Sequence, residues 1–292
     1  MLPYAALAFG VLALSFSSLF IRWSDAPGPV TSFYRFGFAA LIMLPIAVQQ
    51  MRKMSFPPLQ QIILQPRLLV FPLAAGVFST LDHGTWSIAI DYTRVANATL
   101  LNNMSPLWVA LFAALVWRER LTGAFWLGLV ITLVGASVVI GADFVLQTGM
   151  TGGNLLALLS SVFYAGYFLV TQRGREHMAV LPYIWLVSVF GALGLLVFSL
   201  ILGMPLSGFS GITWLIFLAA ALITQVGGYF AIAYALGHLP ASVVAPTLVL
   251  QPVLTALLAI PLAGESLSTG QWLGGLAVVG GVYLVNNRGE NL

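Results

Sequence analysis

Residues 106–135 read "PLWVALFAALVWRERLTGAFWLGLVITLVG", and 146 positions later residues 252–281 read "PVLTALLAIPLAGESLSTGQWLGGLAVVGG". At this one offset Pro106 meets Pro252, Ala110 meets Ala256, Glu119 meets Glu265, Leu121 meets Leu267, Trp126 meets Trp272, Gly128 meets Gly274 and Gly135 meets Gly281. Apolar segments agree easily by chance. Trp, Glu and Pro are rare enough in them that their agreement marks an internal duplication. Each copy carries E-x-L-[T/S] immediately before its last apolar run, placing Thr122 and Ser268 where a side-chain oxygen caps a helix start. Glu119 and Glu265 then lie near the positive end of the same helix. The glycines after each Trp are small enough for helix backbones to approach closely in lipid.

The rest of the chain fits this plan. Of 292 residues, 60% are hydrophobic and 7% charged, where a soluble domain carries about 25% charge. With a mean hydropathy of +1.00, this is an all-α polytopic membrane protein. A helix needs about 20 apolar residues to cross the hydrocarbon. The sequence divides into ten such runs, near 3–22, 30–49, 68–90, 95–117, 123–141, 153–171, 181–202, 212–236, 240–262 and 269–286. The N-terminal "MLPYAALAFG" lacks the basic leader of a signal peptide and reads as a retained first span. The duplication divides the chain into halves of five spans, 1–145 and 146–292. An odd number of spans per half gives the halves opposite orientations, the inverted repeat of secondary transporters.

Charge gives the expected orientation. The net charge is +3, but Lys53 is the single lysine and no run of four or more basic residues exists, so nucleic acid is not an expected partner. With ten spans the even-numbered linkers and the C-terminus hold Arg52, Lys53, Arg67, Arg118, Arg120, Arg173, Arg175 and Arg288, against Arg22, Arg94 and Arg35 on the other side. The positive-inside rule puts both termini in the cytoplasm, and the setting is read as a bacterial inner membrane.

Several chemistries are excluded. With no cysteine and three scattered histidines, neither thiol chemistry nor a metal cluster is expected. The absence of G-x-x-x-x-G-K-[ST] argues against an ATP-driven pump, and no cofactor is implied. "GFSG" (208–211) with His238 has the form of an intramembrane serine hydrolase, but Ser210 and His238 bracket one span, a membrane thickness apart. The chain is read as a non-enzyme.

The paired "P…E-x-L-[T/S]…W-L-G…G" blocks, with "SFYRFGFAALIMLP" (32–45), resemble the EamA-type repeats of the drug/metabolite transporter superfamily over nearly the whole chain. The sequence is also similar to the bacterial aromatic amino-acid exporters within it. The resemblance implies a ten-helix basket around a central cavity, cytoplasmic termini and export of small metabolites by alternating access. One departure is Arg35, which has no counterpart at Pro182 or Tyr183. A monomer in the lipid bilayer is the expected state.

Candidate cavity residues come from polar positions inside apolar runs. In "STLDHGTWSIAI" (79–90), Ser79, His83 and Ser87 are spaced four apart on one helix face. The 146-residue offset pairs Ser79 with Gln225 and His83 with Tyr229. Asn102, Asn103 and Ser105 precede Pro106, and Gln251 precedes Pro252; these prolines free backbone carbonyls one turn earlier. Trp86, Tyr164 and Tyr167 lie deep enough to stack on a planar substrate. Asp82 points about 100° away from His83 on a helix and needs neutralising, with Arg35 as its expected basic partner in an ion pair or a proton-coupling role. An inventory of Asn, Gln, Tyr, His and Ser suits a zwitterion or neutral metabolite such as an aromatic amino acid, through a carrier or, alternatively, a passive channel.

Overall fold

A computed structural model describes residues 1–53, 66–93, 95–140, 152–263 and 267–287. Among the described residues every regular element is helical. Glu265, Arg94, Arg288 and most of the 51–67 linker, on which the sequence reading also drew, lie outside them.

The first apolar run forms α1 (Leu2–Ser15) and α2 (Ser17–Trp23), broken at Phe16. Next come α3 (Gly28–Lys53) and α4 (Val70–Tyr92), the latter entered through a single 3-10 turn at Pro66–Leu69. A second broken run gives α5 (Val95–Asn102) and α6 (Ser105–Leu115), followed by α7 (Gly123–Ile140), α8 (Gly152–His177) and α9 (Val180–Ile201). The next run is continuous but changes winding: α10 (Gly211–Ala220), a π-helical segment Ala221–Tyr229, and α11 (Phe230–Leu236). The chain closes with α12 (Ala241–Leu248), α13 (Leu250–Ala263) and α14 (Thr269–Asn286).

Eight helical stretches are long and apolar enough to cross a membrane. Two further long helices, α4 and α14, pack among them. They are less apolar because α4 carries Asp82 and His83, and α14 carries five glycines besides Gln271 and Asn286. Leucines and valines on many outer faces remain exposed, Leu41, Leu127, Val134, Leu193 and Leu276 among them, as expected where lipid replaces water as the solvent. The chain is thus an all-helical, multi-pass membrane protein.

Both expected caps form. Thr122 Oγ1 accepts from the Phe125 amide at 3.2 Å. Ser268 Oγ accepts from the Gln271 amide at 3.2 Å while Gln271 Oε1 accepts the Ser268 amide at 2.9 Å, a reciprocal capping box. Glu119 does more than sit near its own helix. Both its carboxylate oxygens accept from Ser242 Oγ, at 2.9 and 3.0 Å, on the first turn of α12.

Helices α7 and α14 cross at the glycines of the duplicated block. A methyl carbon placed on Gly128 would stand 2.7 Å from the Gly281 carbonyl oxygen, and one on Gly135 would stand 2.7 Å from that of Gly274. The reciprocal placements on Gly274 and Gly281 fall 2.8 and 2.6 Å from the Gly135 and Gly128 carbonyls. Backbone therefore lies on backbone, with no room for a side chain between the two helices.

The bundle ends are defined by linker contacts. At one end the first and seventh linkers meet: Asp25 Oδ2 accepts from Ser210 Oγ at 2.8 Å and from Thr213 Oγ1 at 3.0 Å. At the other end the fourth, sixth and eighth linkers gather. There Gln172 Oε1 accepts the Ala241 amide at 2.7 Å, Arg175 Nε donates to the Ala233 carbonyl at 3.0 Å, and the Arg173 guanidinium lies 4.6 Å from the centre of the Trp117 ring.

The four-glycine crossing makes the fold sensitive to a single methyl. Gly281→Ala should cost about 1–3 kcal/mol, because the clash falls on backbone that cannot rotate away. A lowered melting temperature in detergent, with a much smaller change for Gly280→Ala, where the space is open, checks this.

Candidate functional site

A cavity of about 740 Å³ lies between α1, α2, α3, α4, α5, α7, α8, α13 and the π-helical segment. That is within the size range of sites for drug-sized ligands. Leu14, Leu19, Ile21, Ile90, Val139 and Ile140 make its apolar wall, Trp86, Tyr164 and Tyr229 its aromatic surface, and Arg35, Asp82, His83, Asn102, Asn103 and Gln251 its polar patch.

The polar patch is a connected network. Arg35, 3% exposed, lies seven residues into α3, about 10 Å along its axis. Its Nη1 donates to Ser17 Oγ at 3.0 Å, and its Nη2 meets His83 Nε2. His83 Nδ1 lies 2.8 Å from the Ser79 carbonyl, one turn back on α4. A carbonyl only accepts and a guanidinium only donates, so the two contacts together fix the tautomer: Nδ1 carries the proton and Nε2 the lone pair. On the far side of the ring, Asp82 Oδ2 is 3.6 Å from His83 Nδ1. Asp82 Oδ1 accepts from Asn102 Nδ2 at 2.8 Å, and the same amide lies 2.9 Å from Ser160 Oγ on α8.

The helical angle between Asp82 and His83 does not separate them as the sequence reading expected. Both residues line the cavity although they stand about 100° apart on a helix, and the Asp82 carboxylate lies 3.6 Å from the imidazole. Arg35 and Asp82, the pair expected from the sequence, attract each other without direct contact, each meeting the His83 ring.

Helix interruptions supply much of the lining. The break at Asn103–Met104 separates α5 from α6, and the break at Val249 separates α12 from α13. Asn102, Asn103, Gln251 and Pro252 therefore reach the cavity beside loosened backbone.

Three expected residues stand behind the wall. Ser79 is buried, and its carbonyl rather than its hydroxyl serves the site. Tyr167, 1% exposed, packs edge-on to Tyr229 with ring centroids 5.8 Å apart, and its hydroxyl has no hydrogen-bond partner. Gln225, fully buried, donates to Ser188 Oγ at 3.3 Å. It lies in the π-helical segment, where each residue turns through less than the α-helical 100°. With its amide taken up by Ser188 of α9, only Tyr229 of this repeat-paired stripe lines the cavity.

Three polar lining residues were not anticipated: Ser17, Thr99 and Thr255. Thr99 could have been found, four residues before Asn103 and one turn away on the same helix. Ser17 carries no sequence signal beyond the need of a buried arginine for a partner. Thr255 is tied to another helix break, its hydroxyl donating to the Ser15 carbonyl at 2.8 Å.

The lining residues lie toward one end of their helices. Ile21 is near the end of α2, Ile90 near the end of α4, and Ile140 is the last residue of α7. That end carries the first and seventh linkers. Tyr229, seven residues from Leu236, is the deepest, about 10 Å short of the opposite end. Ser210 and His238 are at opposite ends of their span, where Ser210 caps α10 and His238 bonds the Tyr234 carbonyl. Among the described residues no group of acidic or histidine side chains could hold a metal.

The sequence pattern of the EamA-like transporter family matches residues 1–141 and again 151–287. An uncharacterised transporter of Clostridium kluyveri is 22% identical over 88% of this chain and 84% of its own length. The Bacillus subtilis transporter YdfC is 27% identical over 86% of this chain and 80% of its own. The pseudopaline exporter CntI of Pseudomonas aeruginosa is 28% identical over 60% of each chain. A solved crystal structure shares the fold with a TM-score of 0.77, covering 97% of this chain and 96% of that one at 19% identity.

Asn102 is the amide that holds the Asp82 carboxylate. Asn102→Leu should destabilise the protein by about 1–3 kcal/mol, the cost of leaving a buried acceptor without its donor. Asp82→Leu added to it should recover most of the loss. Melting temperatures of the two singles and the double test this; losses that simply add would mean the pair is uncoupled.

Proposed function

The chain belongs to the EamA-like transporter family, and on that premise we propose that it exports small amphipathic metabolites, aromatic amino acids foremost, from the cytoplasm by alternating access. The observation that carries this reading is the cavity itself, where Trp86, Tyr164 and Tyr229 face an otherwise apolar wall with one compact polar patch beside them. Aromatic surface takes the ring of such a substrate, and amide, hydroxyl and charged groups take its polar end. The outward direction rests on the family resemblance and on the similarity to CntI.

The architecture behind the proposal is ten spans in two inverted halves, 1–145 and 146–292. Four observations support it. The family pattern matches once in each half. The Gly128–Gly281 and Gly135–Gly274 contacts exchange with one another under the 146-residue offset. The same offset carries the break at Asn103 onto that at Val249. The packing of α4 on α8 has its counterpart in that of α1 on the π-helical segment and α11.

Arginines in the even linkers favour a cytoplasmic position for that end and for both termini. The cavity then extends toward the outer side, while Glu119–Ser242, Gln172–Ala241 and Arg175–Ala233 clasp the cytoplasmic side. This is an outward-facing arrangement of a carrier that works as a monomer in a bacterial inner membrane.

Proteoliposomes loaded with unlabelled phenylalanine should accumulate labelled phenylalanine transiently by counterflow, saturably and in competition with tyrosine and tryptophan. No transport of any of the three would overturn the substrate reading, and non-saturating passive flux would make the protein a channel. Glu119→Ala removes the acceptor of Ser242 and should speed hydrogen exchange through Ala241–Leu248 as the cytoplasmic clasp loosens. Unchanged exchange there would remove these contacts from the gate.

A further inference from the structure

The Arg35 guanidinium is buried in the membrane interior of the bundle, yet the groups it bonds among the described residues are neutral. Its partners are the Ser17 hydroxyl and the His83 imidazole, and the faces of the Phe36 and Tyr229 rings lie 5.2 and 5.7 Å from its central carbon. His83 is held as a neutral acceptor by its own bond to the Ser79 carbonyl. The Arg35 Nε–H has no hydrogen-bond partner. Among the described residues no carboxylate bonds it directly: Asp82 attracts it only from a distance, and its oxygens are engaged by Asn102 and by the opposite edge of the imidazole. A buried cation without an opposed anion is costly, and the cost falls when a carboxylate docks on the guanidinium through paired N–H bonds. Arg35 also lines the cavity, so an anion entering the cavity can reach it.

We propose that Arg35 is the anchor for a carboxylate on the transported molecule, and hence that the cavity selects substrates bearing a carboxylate over neutral analogues of the same shape. The inference rests on the reading of this cavity as the substrate site and adds the group that orients the substrate within it. His83 acts here as a positioning residue, since its lone pair holds Nη2 and leaves Nε free. The carboxylate end is thereby drawn to the α2–α3–α4 wall, with the rest of the molecule left against Trp86, Tyr164 and Ile90.

The test compares matched pairs on the unaltered protein in detergent. Phenylalanine should bind about 10- to 100-fold more tightly than phenylalaninamide, as expected for loss of a hydrogen bond to a charged group, and 3-phenylpropanoate should be preferred over its amide. Equal binding of acid and amide overturns the proposal without any variant having to fold. Leucine with leucinamide separates this inference from the aromatic reading. Acid preference in the leucine pair with no binding of the phenylalanine pair sinks the aromatic substrate and leaves Arg35 in place; no acid preference in either pair sinks Arg35. Arg35→Gln should abolish the acid-to-amide ratio, and Arg35→Lys should keep part of it. A ratio unchanged in a folded Arg35→Gln protein assigns the carboxylate to another group.

Discussion

A guanidinium held inside a lipid-spanning bundle is the constraint around which this protein is arranged. Placing an arginine at membrane depth costs at least several kcal/mol unless the surroundings take over the role of water. Here they do so by a network crossing five membrane-embedded elements. Ser17 on α2 and His83 on α4 hold Arg35 of α3; Asp82 beside His83 is held by Asn102 of α5, which also meets Ser160 of α8. Each link is short-range and directional, so the helices that supply the groups are fixed in rotation as well as position. The cavity is the space these helices leave on the polar side of the network.

The scaffold and the site obey different rules. The glycine crossing of α7 and α14 is symmetric, every contact on one helix having its repeat partner on the other. The polar network is not. At the 146-residue offset Arg35 falls on Leu181, Asp82 on Gly228 and His83 on Tyr229. On the proposed alternating-access reading, symmetry suits a frame that rests equally well in two orientations. Asymmetry suits a site that must bind one molecule in one pose.

Much of the frame was legible because it is written in rare residues. Trp126 with Trp272 and the glycines at 128, 135, 274 and 281 stand out against an apolar background, and the caps at Thr122 and Ser268 follow from local chemistry alone. The site was legible only where polar side chains interrupt regular α-helix, as at His83, Asn102, Asn103 and Gln251. Gln225 shares a face with Tyr229 in the sequence pattern, but nothing in that pattern shows that Ser188 of α9 takes up its amide behind the cavity wall. Ser79 was chosen for its hydroxyl and serves through its backbone. The Asp82–His83 geometry was misread because side-chain length can overcome the angle between adjacent helical positions. Ser17 was missed because a serine in an apolar span gains meaning only from the arginine folded against it.

Substrate is proposed to bind in the cavity beside Arg35. The chain contains no cysteine, so a single cysteine introduced at Thr99, on the cavity wall, can be followed without background. Its rate of modification by a membrane-impermeant maleimide, measured with and without phenylalanine, tests the claim most directly. The account predicts that phenylalanine slows the reaction in a saturable manner. A rate indifferent to phenylalanine, in a protein that still transports it, would place the binding site elsewhere.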